Sequence, residues 1–492
     1  MELDLELFTG TLHYKEILFE FVFDKEELRL IPPKDKKHNI HQEWFMRELQ
    51  PGVFTNGDTP IIDVPFLIGK CNENGQNLIF ITQEGSEIGC YNSVLLIEIV
   101  AYIECEYKRE KIDRIAFSGP EINIIHPVGQ GFSYSLTKEY WNKGVISIQT
   151  NNFNDTTTNS KKFIVDGKEV EVHFGITRGI KTEIGETPLN LESTMIFDFE
   201  ETDDYIFIYR LYNISKRFIQ FLNYRRNVVF TKVTLSASYE GGKHESFAFL
   251  HVLNDSKDLL EERPLKDKRI IQLNYLEGNE GRILEDLANG TIYTRHLPDS
   301  FASGISINEA RFVMITAAFE WEFKRLYPNG IKKKDKKIKA EDVAESEIDK
   351  LIQNSTGEIK GIYNFLKKLV RSDSLESKVI FVCKEMDSVI RVFGNYLFGI
   401  NGEELKYTEM GKRLSTQRNN FAHGNLDKEF VGNSLLDLLF LEIVVYAMQL
   451  KYYEVTKNSI QMAIKDLFHK NIMIHKEEGE LDVNYLQNGN IR

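Results

Sequence analysis

Up to about Thr294 the chain alternates apolar and polar positions and breaks at turn residues, as in "GTLHYKEILFEFVFDKEELRLIPP", "NLIFITQEG", "KKFIVDGKEVEVHFG" and "ESFAFLHVLND". Runs of β-branched and aromatic residues between Gly, Asn and Asp clusters predict strands, because alternation buries one face of a pleated strand and wets the other. The Asp166-Gly167 pair inside "VDGKEV" predicts a tight hairpin turn. One stretch breaks the pattern: Asp204 to Asn227 carries its apolar residues at helical spacing and predicts a long helix packed on a sheet.

After Arg295 the period changes to about 3.6 residues and stays there. Ser306 and Glu309 stand at capping-box spacing before one predicted helix that stops at Pro328, Asn329 and Gly330. Further helices are predicted over 341–353, 358–370, 375–397, 403–423, 434–455 and 459–470. The expectation is an α+β chain with a large β-rich region over 1–295 and an all-α bundle over 305–492. "HLPDSFASG" (296–304) combines Pro, Gly and Ser where the period switches and is the expected linker. The polar stretch 150–162 reads as an exposed loop and marks a candidate subdivision of the first region.

At 492 residues the chain is long enough for several packed domains, and its 42% hydrophobic and 27% charged residues fit a folded globular protein. The acidic start, "MELDLELFTG", has no basic segment followed by an apolar run, so no export signal is expected. The two most apolar stretches are interrupted by Glu98 and by Asp437 and Glu442, and read as core rather than membrane spans. Four cysteines without a C-x-x-C pair read as reduced thiols of a cytoplasmic protein.

The net charge of -13 is unevenly spread. Lys and Arg number 33 against 46 Asp and Glu in residues 1–295, but 28 against 28 in residues 296–492. The second part holds the basic run "IKKKDKKIK", whose Lys332, Lys333, Lys334, Lys336 and Lys337 are candidates for following a phosphate backbone. A solvated loop between helices explains the same run.

"STQRNNFAHGN" (415–425) places Arg418 and His423 near the end of a predicted helix. Gly424 suits the left-handed position that ends a helix, which puts His423 in the last turn, where the helix dipole favours an imidazolium. Asn419 shares a face with His423, whereas Arg418 leaves the helix about 140° away. Such a pair converges on one phosphate more easily if a second copy of the chain contributes its own. The plainer reading, a helix-end histidine and a surface ion pair, is left open by spacing alone.

At these residues "RNNFAHG" resembles the R-N-x-x-x-H signature of HEPN domains, helical bundles found in RNA-cleaving toxins and antiviral effectors. "AAFEWEFKRLY" (317–327) is similar to the A-x-E helix of the Apea-like HEPN group. The early "FTGTL" (8–12), with a long β-rich region before a terminal helical domain, resembles ApeA-type abortive-infection proteins of anti-phage defence.

The resemblance implies a metal-independent endoribonuclease that needs no cofactor. His423 would act on the 2'-hydroxyl or the leaving 5'-oxygen, and Arg418 on charge developing at the phosphoryl oxygens. Asn419 would orient the site, Glu320 would hold Arg418 and Lys324 would contact RNA, although Glu320 and Lys324 also fit an ordinary surface pair. It further implies an RNA substrate, transfer RNA among the candidates, a homodimer meeting through the HEPN domain, a phage-derived trigger sensed by the β-rich region, and no membrane partner. His38 and His41 in "HNIH" lack further ligands and read as a surface loop. Tyr363, Phe365 and the aromatics near Trp321 read as core rather than base-stacking platforms. The competing readings are a non-catalytic HEPN scaffold or nucleotide-binding module, and a carbohydrate- or peptide-binding β domain with a dimerisation bundle.

Overall fold

The computed structural model describes residues 7–106, 111–135, 142–143, 147–152, 154–181, 187, 189–239, 243–253, 259–424, 429–430 and 432–474. Residues 1–6, most of the acidic start, lie outside that range. The chain forms two compact units, one of Met1–Lys266 with Gly278–Asn289 and one of Asp267–Glu277 with Gly290–Arg492.

The first unit is built on a 14-stranded sheet whose pairings are antiparallel. From one edge it runs Lys161–Val165, Lys168–Ile180, Leu189–Thr202, Ile112–Ser118, Lys232–Tyr239, Lys243–Val252 and Ile99–Cys105. It continues through Asn77–Thr82, Phe66–Cys71, Phe8–Tyr14, Ile17–Phe23, Leu28–Ile31 and Val94–Ile97 to Gly89–Tyr91. Period-two patterning explains the burial: in Ile17–Phe23, Phe19, Phe21 and Phe23 enter the core while Leu18 and Glu20 face outward. The predicted hairpin is present, with Asp166 and Gly167 at φ +52° and +78° and Val165 paired to Lys168.

Two of this unit's helices bear on the expectations from sequence. Helix α1 (Lys37–Phe45) contains His38 and His41, where a loop was expected. Helix α2 (Tyr205–Asn223) is capped by Asp204, whose side chain accepts from the Phe207 N–H, and lies on the sheet through Phe207 against Phe199, Tyr212 against Phe117 and Tyr205 against Phe66. The segment 150–162 is not one exposed loop. It passes through a short 3-10 turn with Thr156 buried and enters the edge strand at Lys161, with both sides inside the same unit.

The second unit is helical: α3 (Glu309–Leu326), α4 (Asp335–Gln353), α5 (Gly357–Val370), α6 (Leu375–Glu385), α7 (Asp387–Gly399), α8 (Tyr407–Ala422), α9 (Ser434–Tyr452) and α10 (Lys457–Leu467). Helix α9 is its centre, buried almost all round. The two carboxylates that interrupt its apolar run are met by arginines: Arg413 forks onto Asp437 at 2.6 and 2.8 Å, and Arg311 reaches Glu442 at 2.7 Å. A buried carboxylate left without such a partner would cost several kcal/mol, on the order of 3–5. Among the described residues no helix is long and apolar enough to cross a membrane.

Several expectations need correction. Ser306 does not cap α3: Asn308 does, accepting from the Arg311 N–H, because the Arg311 guanidinium folds the preceding turn back by donating to the Ser306 carbonyl. The stretch 296–304, expected as the linker, lies inside the second unit, with His296 and Leu297 buried and Ser300 and Ser303 forming a capping box for the short helix Phe301–Ile305. The predicted helix 375–397 breaks at Met386 into α6 and α7. The break escapes periodicity because Met386 is itself buried and keeps the apolar spacing. The basic run is only partly a loop, since α4 starts at Asp335 and takes Lys336 and Lys337 into its first turn.

Candidate functional site

Helix α8 presents the candidate motif because of what its other face must do. Met410, Leu414, Gln417 and Phe421 point into the bundle, with Phe421 edge-on to Phe312 of α3 at 5.5 Å between ring centroids. Arg418 and Asn419 follow the core position Gln417 by one and two residues, which carries them to the rim; Arg418 is half-buried and Asn419 exposed. The helix ends at Ala422, and His423 is its cap residue, exposed, with its N–H donating to the Asn419 carbonyl at 3.1 Å. Gly424 follows at φ +73°, the left-handed geometry that ends a helix, and its N–H reaches the Phe421 carbonyl at 3.1 Å. Asn425 lies outside the described residues.

The Arg418 guanidinium is held from two directions. One nitrogen donates to Glu320 Oε2 of α3 at 3.2 Å, and another to Asn419 Oδ1 at 3.2 Å. The other oxygen of Glu320 accepts from Lys378 Nζ of α6 at 3.0 Å. One carboxylate therefore bridges two cations from two other helices, and the cluster carries one positive charge in excess. Its members are partly exposed, at 38% for Arg418, 28% for Glu320 and 20% for Lys378, so an approaching anion finds them without leaving water entirely. The ammonium of Lys378 also stands 5.6 Å from the centre of the Phe323 ring, which helps to fix its stem.

On an ideal helix Arg418 and His423 are about 140° apart around the axis. The guanidinium is held by Glu320 and by Asn419, which lies on the His423 side of the helix.

Other candidates fall elsewhere. Lys324 is exposed one turn beyond Glu320, which turns toward Arg418 and Lys378 instead. Lys333 is drawn inward: its ammonium contacts both oxygens of Glu341 at 2.8 and 3.0 Å and the Arg371 carbonyl at 3.0 Å, so it fastens the start of α4 and is spent as a phosphate ligand. Lys332, Lys334, Lys336 and Lys337 are exposed. Phe365, expected in the core, is 61% exposed, because α5 packs through its charged flank; of the aromatics around Trp321, Phe319 and Phe323 are buried as expected, while Trp321 itself is 48% exposed and tied at the surface by its indole N–H to the Thr291 carbonyl. Tyr363 is half-buried.

Lys378 is the residue that sequence reasoning missed. No motif contains it, and its place beside Glu320 follows from the packing of α6 against α8 and α3. Among the described residues, no group of three or more His, Cys, Asp or Glu is placed to hold a metal ion. Comparison of the chain with protein-family models, with curated proteins and with solved structures gives no match.

Proposed function

We propose that the chain is a HEPN-type endoribonuclease of an anti-phage abortive-infection system, metal-independent, acting as a homodimer and controlled by its β-rich region. The observation that carries the reading is the pre-set Arg418, oriented by Glu320 and Asn419 on the same helix whose exposed cap residue is His423. A guanidinium already held in place loses little freedom when it meets phosphoryl oxygens, which is the condition for electrostatic stabilisation of a transition state.

The chemistry takes its nucleophile from RNA. One His423 removes the proton of a 2'-hydroxyl, the 2'-oxygen forms a bond to the adjacent phosphorus, and the bond to the 5'-oxygen breaks. That oxygen takes a proton from the second His423, leaving a 2',3'-cyclic phosphate and a 5'-hydroxyl. Arg418 neutralises charge on the non-bridging oxygens. The divergence of about 140° that helical spacing sets between Arg418 and His423 is why the site is proposed as composite, with each copy completing the other.

The test is induced expression of the wild type and of His423→Ala in a bacterial host with and without phage, followed by mapping of RNA ends. Cleavage with 5'-hydroxyl ends in the wild type alone supports the reading. RNA intact in both, during challenge as well as before it, transfers support to a non-catalytic scaffold, which the same divergence also fits.

A further inference from the structure

Trp321 follows Glu320 directly in α3, and its ring is held by the edge with a face left open. The indole N–H donates to the Thr291 carbonyl at 2.8 Å. Tyr293 packs beside the ring at 6.2 Å between centroids, its own hydroxyl turned to the Met314 sulfur at 3.7 Å. The one polar atom of the indole is thereby satisfied and its plane fixed, while 48% of the residue stays open to solvent. Ala317, one turn before it, is too short to cover an indole, and Lys324 after it is itself exposed.

Helical geometry sets this ring next to the cationic cluster. Successive residues turn by 100°, so around the axis of α3 Lys324 lies about 40° from Glu320, and Trp321 about 100° from it on the same side. On a helix about 11 Å across, the side chains of Glu320 and Trp321 are then about 8 Å apart. Glu320 holds Arg418 and Lys378. A strand whose phosphate rests on those two cations and which runs on across α3 meets Lys324 next and the indole after it. Cations that follow a backbone beside an aromatic face that takes a base are the arrangement by which proteins grip single-stranded nucleic acid.

We propose that Trp321 is the base-stacking residue of this site, and that the site takes RNA whose bases are unpaired beside the scissile phosphate, a loop or a single strand in preference to continuous duplex. A base inside a duplex has both faces covered and its edge paired, so it reaches the ring only by being pulled out of the stack. A base in a loop is already splayed, and it meets a plane that gives up little freedom on contact. The inference rests on the ribonuclease reading for the identity of the ligand, and adds to it the conformation of the RNA.

The experiment is a fluorescence-anisotropy titration of labelled RNA with the full chain carrying His423→Ala, which leaves the RNA uncut. The probes are a short oligoadenylate and an RNA duplex of the same length. In that background Trp321→Phe keeps a ring and Trp321→Leu keeps only apolar bulk; both lose the N–H tie to Thr291, so the difference between them reports the ring. On the oligoadenylate, Trp321→Leu should bind about tenfold more weakly than the chain with Trp321 intact and Trp321→Phe within about threefold of it, while duplex affinity stays the same in all three. Equal oligoadenylate affinity in the Phe and Leu variants overturns the inference, as does a loss that falls equally on the duplex, or no binding of either RNA at tens of micromolar. Failure of the ribonuclease reading shows separately, in the RNA ends left by the wild type. Ring-dependent binding without 5'-hydroxyl cuts keeps Trp321 as a stacking residue on a non-catalytic scaffold, whereas 5'-hydroxyl cuts with equal affinities in the Phe and Leu variants keep the nuclease and remove Trp321.

Discussion

Glu320 and Arg418, 98 residues apart in the chain, are joined by a 3.2 Å ion pair that fixes where the guanidinium points. Because Arg418 is more than a third exposed, solvent screens the pair and its worth to folding is small, on the order of 0–1 kcal/mol. Its consequence is positional. Glu320→Gln keeps the shape of the side chain and removes the charge that holds Arg418 and Lys378. The expected outcome is a fall of about tenfold in RNA cleavage rate with a melting temperature within a few degrees of wild type, measured side by side on the same preparations. A large loss of melting temperature with unchanged specific activity would mean that the pair is structural.

Lys378 shares the carboxylate of Glu320 and adds the second cation to the cluster. Removing it should weaken contact with phosphate without moving Arg418 far. Lys378→Met is expected to lower RNA affinity and to reduce the slope of log affinity against log salt by about one, the signature of one lost phosphate contact. Lys378→Arg should recover most of both. Binding titrations from low to moderate salt check this, and an unchanged slope would remove Lys378 from the RNA surface.

Gly424 sits at φ +73°, and among the described residues no atom lies near the position a Cβ would take. An alanine there meets no clash among the described residues, only the backbone strain of the left-handed region, about 1 kcal/mol. That strain falls on the turn that holds His423 at the helix end. Gly424→Ala should therefore cost about 1 kcal/mol by urea denaturation and reduce cleavage more than Gly424→Asn, since asparagine tolerates this conformation better. Equal activity in the two variants would show that the turn does not position His423.

The broad division of the chain was legible because period is local: Phe19, Phe21 and Phe23 declare a strand, and Met410, Leu414, Gln417 and Phe421 a helix, each within a few residues. The turn at Asp166-Gly167 was legible for the same reason. What escaped depends on contacts across the bundle. Lys378 reaches Glu320 only once α6 has packed, and Lys333, one lysine of a run that reads as a uniform basic patch, is singled out by Glu341 and the Arg371 carbonyl. Phe365 shows the converse failure, since helical spacing identifies an apolar face without saying whether anything covers it.

Asp387, at the start of α7, accepts from Arg391 at 2.9 Å and from the Tyr407 hydroxyl at 2.9 Å, tying the first turn of α7 to the first residue of α8. The Arg391 hydrogen bond, against an opposing effect of burial and with help from Tyr407, holds the Asp387 carboxyl below its usual value. The phenol of Tyr407 is correspondingly pushed up, chiefly by burial and then by Asp387. A carboxyl whose value is lowered on folding favours the folded state above its unfolded value near 3.8, and that contribution disappears as pH falls through the lowered folded value. Asp387→Asn should therefore destabilise the helical unit at neutral pH, by about 0.5 kcal/mol after screening of this partly exposed pair. The difference from wild type should hold constant from pH 7 down to about 5 and vanish in the acid limb, where both proteins carry a neutral group at the position. Urea midpoints measured across that range check the sign: a gap that widens toward acid would require the Asp387 carboxyl to be raised by burial instead of lowered by Arg391.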